Sequence, residues 1–166
     1  MPAHIAAPVM FDCTSQWMFS MKNYQQVEIL LVEDSTHDAE MTRHALKRSG
    51  IVNDIAWAKD GVEAIDYLFC QGEYADRDNG QPKLILLDLK MPRMDGLQVL
   101  ERLKGSDRTR NIPVVMLTSS AEEGDLLKSY SLGVNSYIVK PVDFGQFAEI
   151  VAQVGMYWVL ANQLPG

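Results

Sequence analysis

Cysteine is scarce in this chain: Cys13 and Cys70 are the only two among 166 residues. Neither belongs to a CxxC or Cys/His pair, so a disulfide framework and a zinc site are not in view and a reducing, cytoplasmic setting is the default. Long apolar runs are missing as well, and no stretch approaches the ~18 residues that a membrane span needs. The first twenty residues hold no Lys or Arg, which leaves them without the basic start and continuous apolar core of a signal peptide. Basic charge is also short, 15 Lys and Arg against 22 Asp and Glu, for a formal net of −7. That argues against unspecific binding to nucleic acid or to an anionic membrane, each of which needs a basic face. Repeats, low-complexity tracts and an interdomain linker are absent too. What remains is enough chain, 47% of it hydrophobic, for one domain with one core.

From Val27 onward, short apolar runs alternate with amphipathic stretches. Val27–Val32, Ile55–Ala58, Leu84–Leu87, Val114–Leu117 and Tyr137–Val139 read as strands. Between and after them, Asp38–Ser49, Gly61–Phe69, Leu97–Lys104, Glu122–Ser131 and Phe144–Leu160 carry helical spacing, with Gly50 and Gly133 as stops. Gln71–Pro82 is polar and rich in Gly, Asp and Asn, which reads as a long loop. Five strands alternating with five helices predict an α/β fold, a doubly wound parallel sheet with helices on both faces. The strands are continuously apolar, as burial on both faces requires. Residues 25–162 are assigned to this domain, 1–24 to a flexible tail and 163–166 to a C-terminal tail.

Sheets of this kind bind ligands at the carboxyl ends of their strands. There the chain places Glu33 and Asp34, Asp88, Thr118 and Lys140. Carboxylates a few ångströms apart repel by ~1–4 kcal/mol per pair at water-like to surface-like dielectric, so they call for a cation. A hard divalent ion with oxygen ligands meets that need, and magnesium keeps waters and room for a phosphate oxygen. Beside such an ion a carboxylate can attack phosphorus, and Asp88, after the most apolar strand, is the best nucleophile. Thr118 can donate to a phosphoryl oxygen, and Lys140 can neutralise a second one.

Leu31-Val32-Glu33-Asp34-Ser35, the run Leu86-Leu87-Asp88-Leu89-Lys90-Met91-Pro92-Arg93-Met94-Asp95-Gly96, Met116-Leu117-Thr118-Ser119 and Tyr137-Ile138-Val139-Lys140-Pro141 closely resemble the receiver domain of two-component response regulators, a CheY-like, flavodoxin-like fold. The resemblance runs from about Val27 to about Ala161. It implies a phosphoacceptor rather than a turnover enzyme, phosphorylated on Asp88 by a sensor histidine kinase. It implies Mg²⁺ on Asp34, Asp88, the main-chain carbonyl of Lys90 and, through water, Glu33. It gives Thr118 and Tyr137 a switching role and makes the bond before Pro141 cis. Glu33 stands where the family more often has Asp, with the charge unchanged. The Asp34-Ser35-x-x-Asp38-Ala39 opening, the long loop and Tyr157-Trp158 are similar to the small receivers paired with bacterial phytochrome kinases.

Plainer readings stand beside these. Glu33-Asp34 alone could cap a helix. His4, His37 and His44 lack ligand spacing and read as surface residues, and Cys70 as an inert thiol. The last helix, through Phe144, Phe147, Val151, Val154, Tyr157 and Trp158, is apolar over more than one face needs, which suggests a homodimer surface. A magnesium-dependent aspartyl phosphatase would want a general acid where Lys90 stands. A flavodoxin-like carrier would want a Ser/Thr/Gly-rich loop in place of Glu33-Asp34-Ser35. A scaffold-only receiver and a phosphate sink in a relay complete the alternatives. With so little chain after the last helix, output is expected through a surface that another protein recognises.

Overall fold

The computed structural model describes residues 29–48, 54–78, 80–119, 122–140 and 143–157. Its strands are β1 (Ile29–Val32), β2 (Ile55–Ala58), β3 (Leu84–Asp88), β4 (Val114–Thr118) and β5 (Ser136–Val139). Its helices are α1 (Thr36–Arg48), α2 (Gly61–Phe69), α3 (Gly96–Lys104), α4 (Glu123–Ser131) and α5 (Phe144–Met156). All strand pairs are parallel, in the order β2-β1-β3-β4-β5. The expected tails, 1–24 and 163–166, lie outside the described residues, as do Trp158 and the rest of the last helix as read from sequence.

Side-chain alternation explains the two-sided burial. Leu30, Val32, Ile85, Leu87, Val114 and Met116 face one way, onto Ala64, Ile65 and Leu68 of α2 and Leu100 and Leu103 of α3. Ile29, Leu31, Leu84, Leu86, Val115 and Leu117 face the other, onto Ala39 and Leu46 of α1 and Phe147 and Val151 of α5. The three central strands are wholly buried, whereas β2 and β5 at the edges are partly exposed. Each buried Leu or Ile contributes about 1.5–3 kcal/mol. Helix α4 is anchored differently: among its described residues only Ser129 is buried, and Leu127 and Tyr130 face solvent.

Elements differ from the sequence reading mainly at their starts. Helix α1 begins at Thr36 rather than Asp38, because the Ser35 hydroxyl accepts from the Asp38 amide and its carbonyl from the Ala39 amide. A cap is therefore supplied by Ser35, which leaves the acidic pair for other work. The loop Gln71–Pro82 contains a short 3-10 turn, Gly72–Tyr74, whose Tyr74 hydroxyl donates to Glu63 at 2.6 Å.

The last helix needs a correction. Phe147 and Val151, expected on a homodimer surface, are 4% and 1% exposed and belong to the chain's own core, because α5 packs across α1. Val154 is half-buried against the same core, and Tyr157 is exposed. The width of the apolar stripe reflects contact with the sheet and with a neighbouring helix at once.

Candidate functional site

Register brings the acidic residues level. Val32 of β1 pairs with Leu87 of β3, so Glu33 and Asp88 are the next residues out of adjacent strands at the carboxyl edge. Asp34 follows in the turn into α1. Oxygen atoms of Glu33, Asp34 and Asp88 all lie within 4.8 Å of one another. Glu33 and Asp88 are buried, and Asp34 is exposed.

Backbone geometry holds the edges of this cluster. The Glu33 amide donates to the Ala58 carbonyl at 3.0 Å, and the Trp57 indole nitrogen donates to the Glu33 carbonyl at 2.8 Å. Both ends of that residue are thus tied to β2. The Asp88 carboxylate accepts from the Leu89 amide at 3.0 Å. The turn after Asp88 closes tightly, with the Gly96 amide donating to the Leu89 carbonyl at 2.8 Å. A Cβ on Gly96 would lie 2.4 Å from the Asp88 carbonyl oxygen, so only glycine fits. Arg93, at φ 66°, donates from Nε to Asp60 at 3.0 Å and pairs with the same carboxylate through its terminal nitrogen. That pair ties the turn to the start of α2.

Lys140 leaves the end of β5, where its amide donates to the Thr118 carbonyl at 2.6 Å. Its ammonium donates to Glu33 Oε2 at 2.6 Å and to Asp38 Oδ2 at 3.1 Å, and stands 3.7 Å from Asp88 Oδ1. Thr118 is fully buried, and its side chain shares a hydrogen bond with Tyr137. Lys90 extends its ammonium to Asp125 on α4, 3.1 Å away.

The electrostatics follow from burial. Loss of solvent, with the charges of Glu33 and Asp34, pushes the Asp88 carboxyl up to about 7 despite Lys140 and the Leu89 amide. Glu33 is raised too, chiefly by burial, against the hydrogen bond and charge of Lys140. Burial pulls the Lys140 ammonium down, but the hydrogen bond to Glu33 and the charges of Asp88 and Glu33 outweigh it and hold it above its ordinary value. One ammonium among so many carboxylates leaves an excess of negative charge. An all-oxygen donor set of this kind suits a hard divalent cation.

The structure thus brings Glu33, Asp34, Asp88 and Lys140 together and sets Thr118 and Tyr137 against each other one strand away. Pro141 lies outside the described residues, and the side chain of Phe144 is likewise not described. Sequence reading missed Asp38 as a partner of Lys140, Trp57 as a clamp on Glu33, and Asp125 as a partner of Lys90. Asp38 carried a signal, an acidic residue at the start of the helix that follows the acidic pair. Trp57 and Asp125 carried none, since their contacts cross the fold.

Comparison with known proteins gives this arrangement its class. The response regulator receiver domain matches residues 29–152, and the chain belongs to that family, as a response regulator of two-component signalling. Among curated relatives, the probable methanogenesis regulatory protein FilR2 of Methanothrix harundinacea is 41% identical over 138 residues, 83% of this chain and 87% of the relative. Response regulator Rcp1 of Synechocystis sp. is 39% identical over 137 residues, 82% of this chain and 92% of the relative. Among solved structures, the phosphorylated cyanobacterial phytochrome response regulator RcpA aligns with a TM-score of 0.77 at 39% identity, over 83% of this chain and 97% of that one. The Mn²⁺-bound form of Rcp1 aligns equally well, TM-score 0.77 at 38% identity over 83% and 98%. The bacteriophytochrome response regulator AtBRR is 52% identical, with a TM-score of 0.66 over 81% and 96%.

Proposed function

We propose that Asp88 accepts a phosphoryl group from a sensor histidine kinase, with Mg²⁺ bound by Asp34, Asp88, the main-chain carbonyl of Lys90 and, through water, Glu33. The observation that carries this reading is the meeting of three carboxylates within 4.8 Å with the Lys140 ammonium 3.7 Å from Asp88. When bound, the ion draws negative charge from the entering phosphoryl group. A carboxylate oxygen of Asp88 bonds to phosphorus as the phosphorus–nitrogen bond of a phosphohistidine breaks. The imidazole leaves with that electron pair and takes a proton from solvent. Lys140 and Thr118 then hold phosphoryl oxygens, Lys140 as a point charge and Thr118 by turning its hydroxyl away from Tyr137. Tyr137, released from that bond, shifts its ring, and the change spreads to β5 and α4 as a population shift. Phosphoacceptance from a kinase that uses ATP sets the reaction in the cytoplasm.

Incubation with Mg²⁺ and a small phosphoryl donor should add one phosphoryl group by mass. Asp88→Asn should abolish that gain. A gain that survives the substitution would sink the proposal.

A bacterial phytochrome is the proposed kinase, supported by the two phytochrome response regulators above, at 39% and 52% identity. Phosphotransfer profiling against the kinases of the source organism tests it, and preference for a kinase without a phytochrome would refute it. A homodimer through the far end of α5 and strand β5 is supported by the exposure of Tyr157 and Val139. A monomer at tens of micromolar in sedimentation, with and without phosphorylation, would refute that part.

A further inference from the structure

Lys140 has more partners than phosphoryl recognition requires. Its ammonium is almost buried, and two of its three carboxylate neighbours hold it more closely than Asp88 does. Glu33 accepts at 2.6 Å and Asp38 at 3.1 Å, whereas Asp88 Oδ1 is 3.7 Å away, beyond a hydrogen bond. Asp38 stands in the first turn of α1, the helix that packs against α5. Its side chain is about one-third exposed, against 12% for Lys140. A half-buried carboxylate therefore holds a nearly buried cation, and the cation is drawn toward α1.

We infer that Asp38 is a positioning residue for the phosphoryl transfer: it shares Lys140 with Glu33 and so keeps the ammonium one contact short of Asp88. This rests on the reading of Asp88 as the phosphoacceptor. While Lys140 is held on the Asp38 side, the carboxylates of Asp34 and Asp88 stay open to a divalent ion instead of being occupied by an internal cation. When a phosphoryl group arrives, its added charge competes with Asp38 for the ammonium, and Lys140 needs only a short movement to reach it. No bond is made or broken by Asp38 itself. Removing its charge lets Lys140 settle on Asp88, which weakens metal binding. The same change takes one negative charge from the path of an anionic donor, which favours labelling once metal is saturating.

Two readouts therefore move in opposite directions, which mere loss of structure cannot reproduce. Asp38→Asn should raise the magnesium dissociation constant about threefold and raise the labelling rate at saturating magnesium by a similar factor, the scale of a partly exposed ion pair. Asp38→Glu, which keeps the charge, should return both toward the parent protein. Magnesium affinity, measured by calorimetry without any phosphoryl donor, should respond to Asp38→Asn by less than half as much when Lys140→Met is also present. The inference is overturned if magnesium affinity and labelling rate fall together, if neither moves, or if the magnesium effect is the same with and without Lys140. Labelling that persists in Asp88→Asn would instead remove the phosphoacceptor reading on which the inference stands.

Discussion

At the scale of single residues, burial sets the chemistry. Asp88 is raised from 3.8 to about 7 by burial and by Glu33. The folded chain therefore binds more protons than the unfolded chain between those values, and stability declines as pH rises through that window. Glu33 is shifted in the same sense. Burial pushes Asp60 up, but hydrogen bonds from Glu63 and Arg93 outweigh it and hold it low, so the stability it contributes is present above 3.8 and is lost as pH falls below that value. Without metal, the protein should melt at a lower temperature at pH 8 than at pH 6. Magnesium should stabilise it more at pH 8, because at pH 6 the ion must first displace a proton. Thermal melts at the two pH values with and without Mg²⁺ check both statements, and a metal-free melting point that rises with pH would contradict them. Gly96 supplies a steric counterpart. A Cβ there would meet the Asp88 carbonyl oxygen at 2.4 Å and the Leu89 Cα at 2.9 Å, both backbone atoms. Gly96→Ala should cost about 1–3 kcal/mol in denaturant unfolding and slow labelling of Asp88, since the backbone that must yield carries the acceptor.

At the scale of elements, the turn after β3 is fastened to α2 by one carboxylate with two tasks. Asp60 Oδ1 caps α2 by accepting from the Glu63 amide at 2.9 Å, while Oδ2 takes Arg93. Asp60→Asn keeps an acceptor for the cap and loses the ion pair, for a cost of about 1 kcal/mol or less. Asp60→Ala loses both and should cost about 1–2 kcal/mol more, through the missing cap. Equal losses from the two substitutions in chemical unfolding would show that the cap contributes nothing. Element positions were largely legible in the sequence because apolar runs and helical spacing are local. Strand β2 and helices α2 and α4 fall within a residue of where periodicity puts them. The start of α1 was not, because Asp34 and Ser35 are both competent caps and only the backbone path picks Ser35.

At the scale of the whole molecule, the sheet divides alternate residues of each central strand between two cores. Helix α5 closes one of them. Phe147→Ala should cost about 3–5 kcal/mol in equilibrium unfolding, while Tyr157→Ser should change stability by no more than about 0.5 kcal/mol. The reverse ranking would place Phe147 at a surface after all. Helix α4, with Leu127 and Tyr130 exposed and only Ser129 buried, is the element least committed to either core. Its tie to the site is the Lys90–Asp125 pair, a bond between the turn after Asp88 and the helix that buries least.

Sequence alone determined the order of elements, the parallel sheet and the residues that end its strands. Each of these follows from local periodicity and from the rule that parallel strands deliver their carboxyl ends to one edge. Tertiary structure alone decided how the charges are shared there: that Lys140 leans on Glu33 and Asp38, that Trp57 clamps Glu33, and that Phe147 and Val151 are core. Those outcomes depend on contacts between residues far apart in the chain. Spacing along one strand or helix carries no record of which opposite face will cover it.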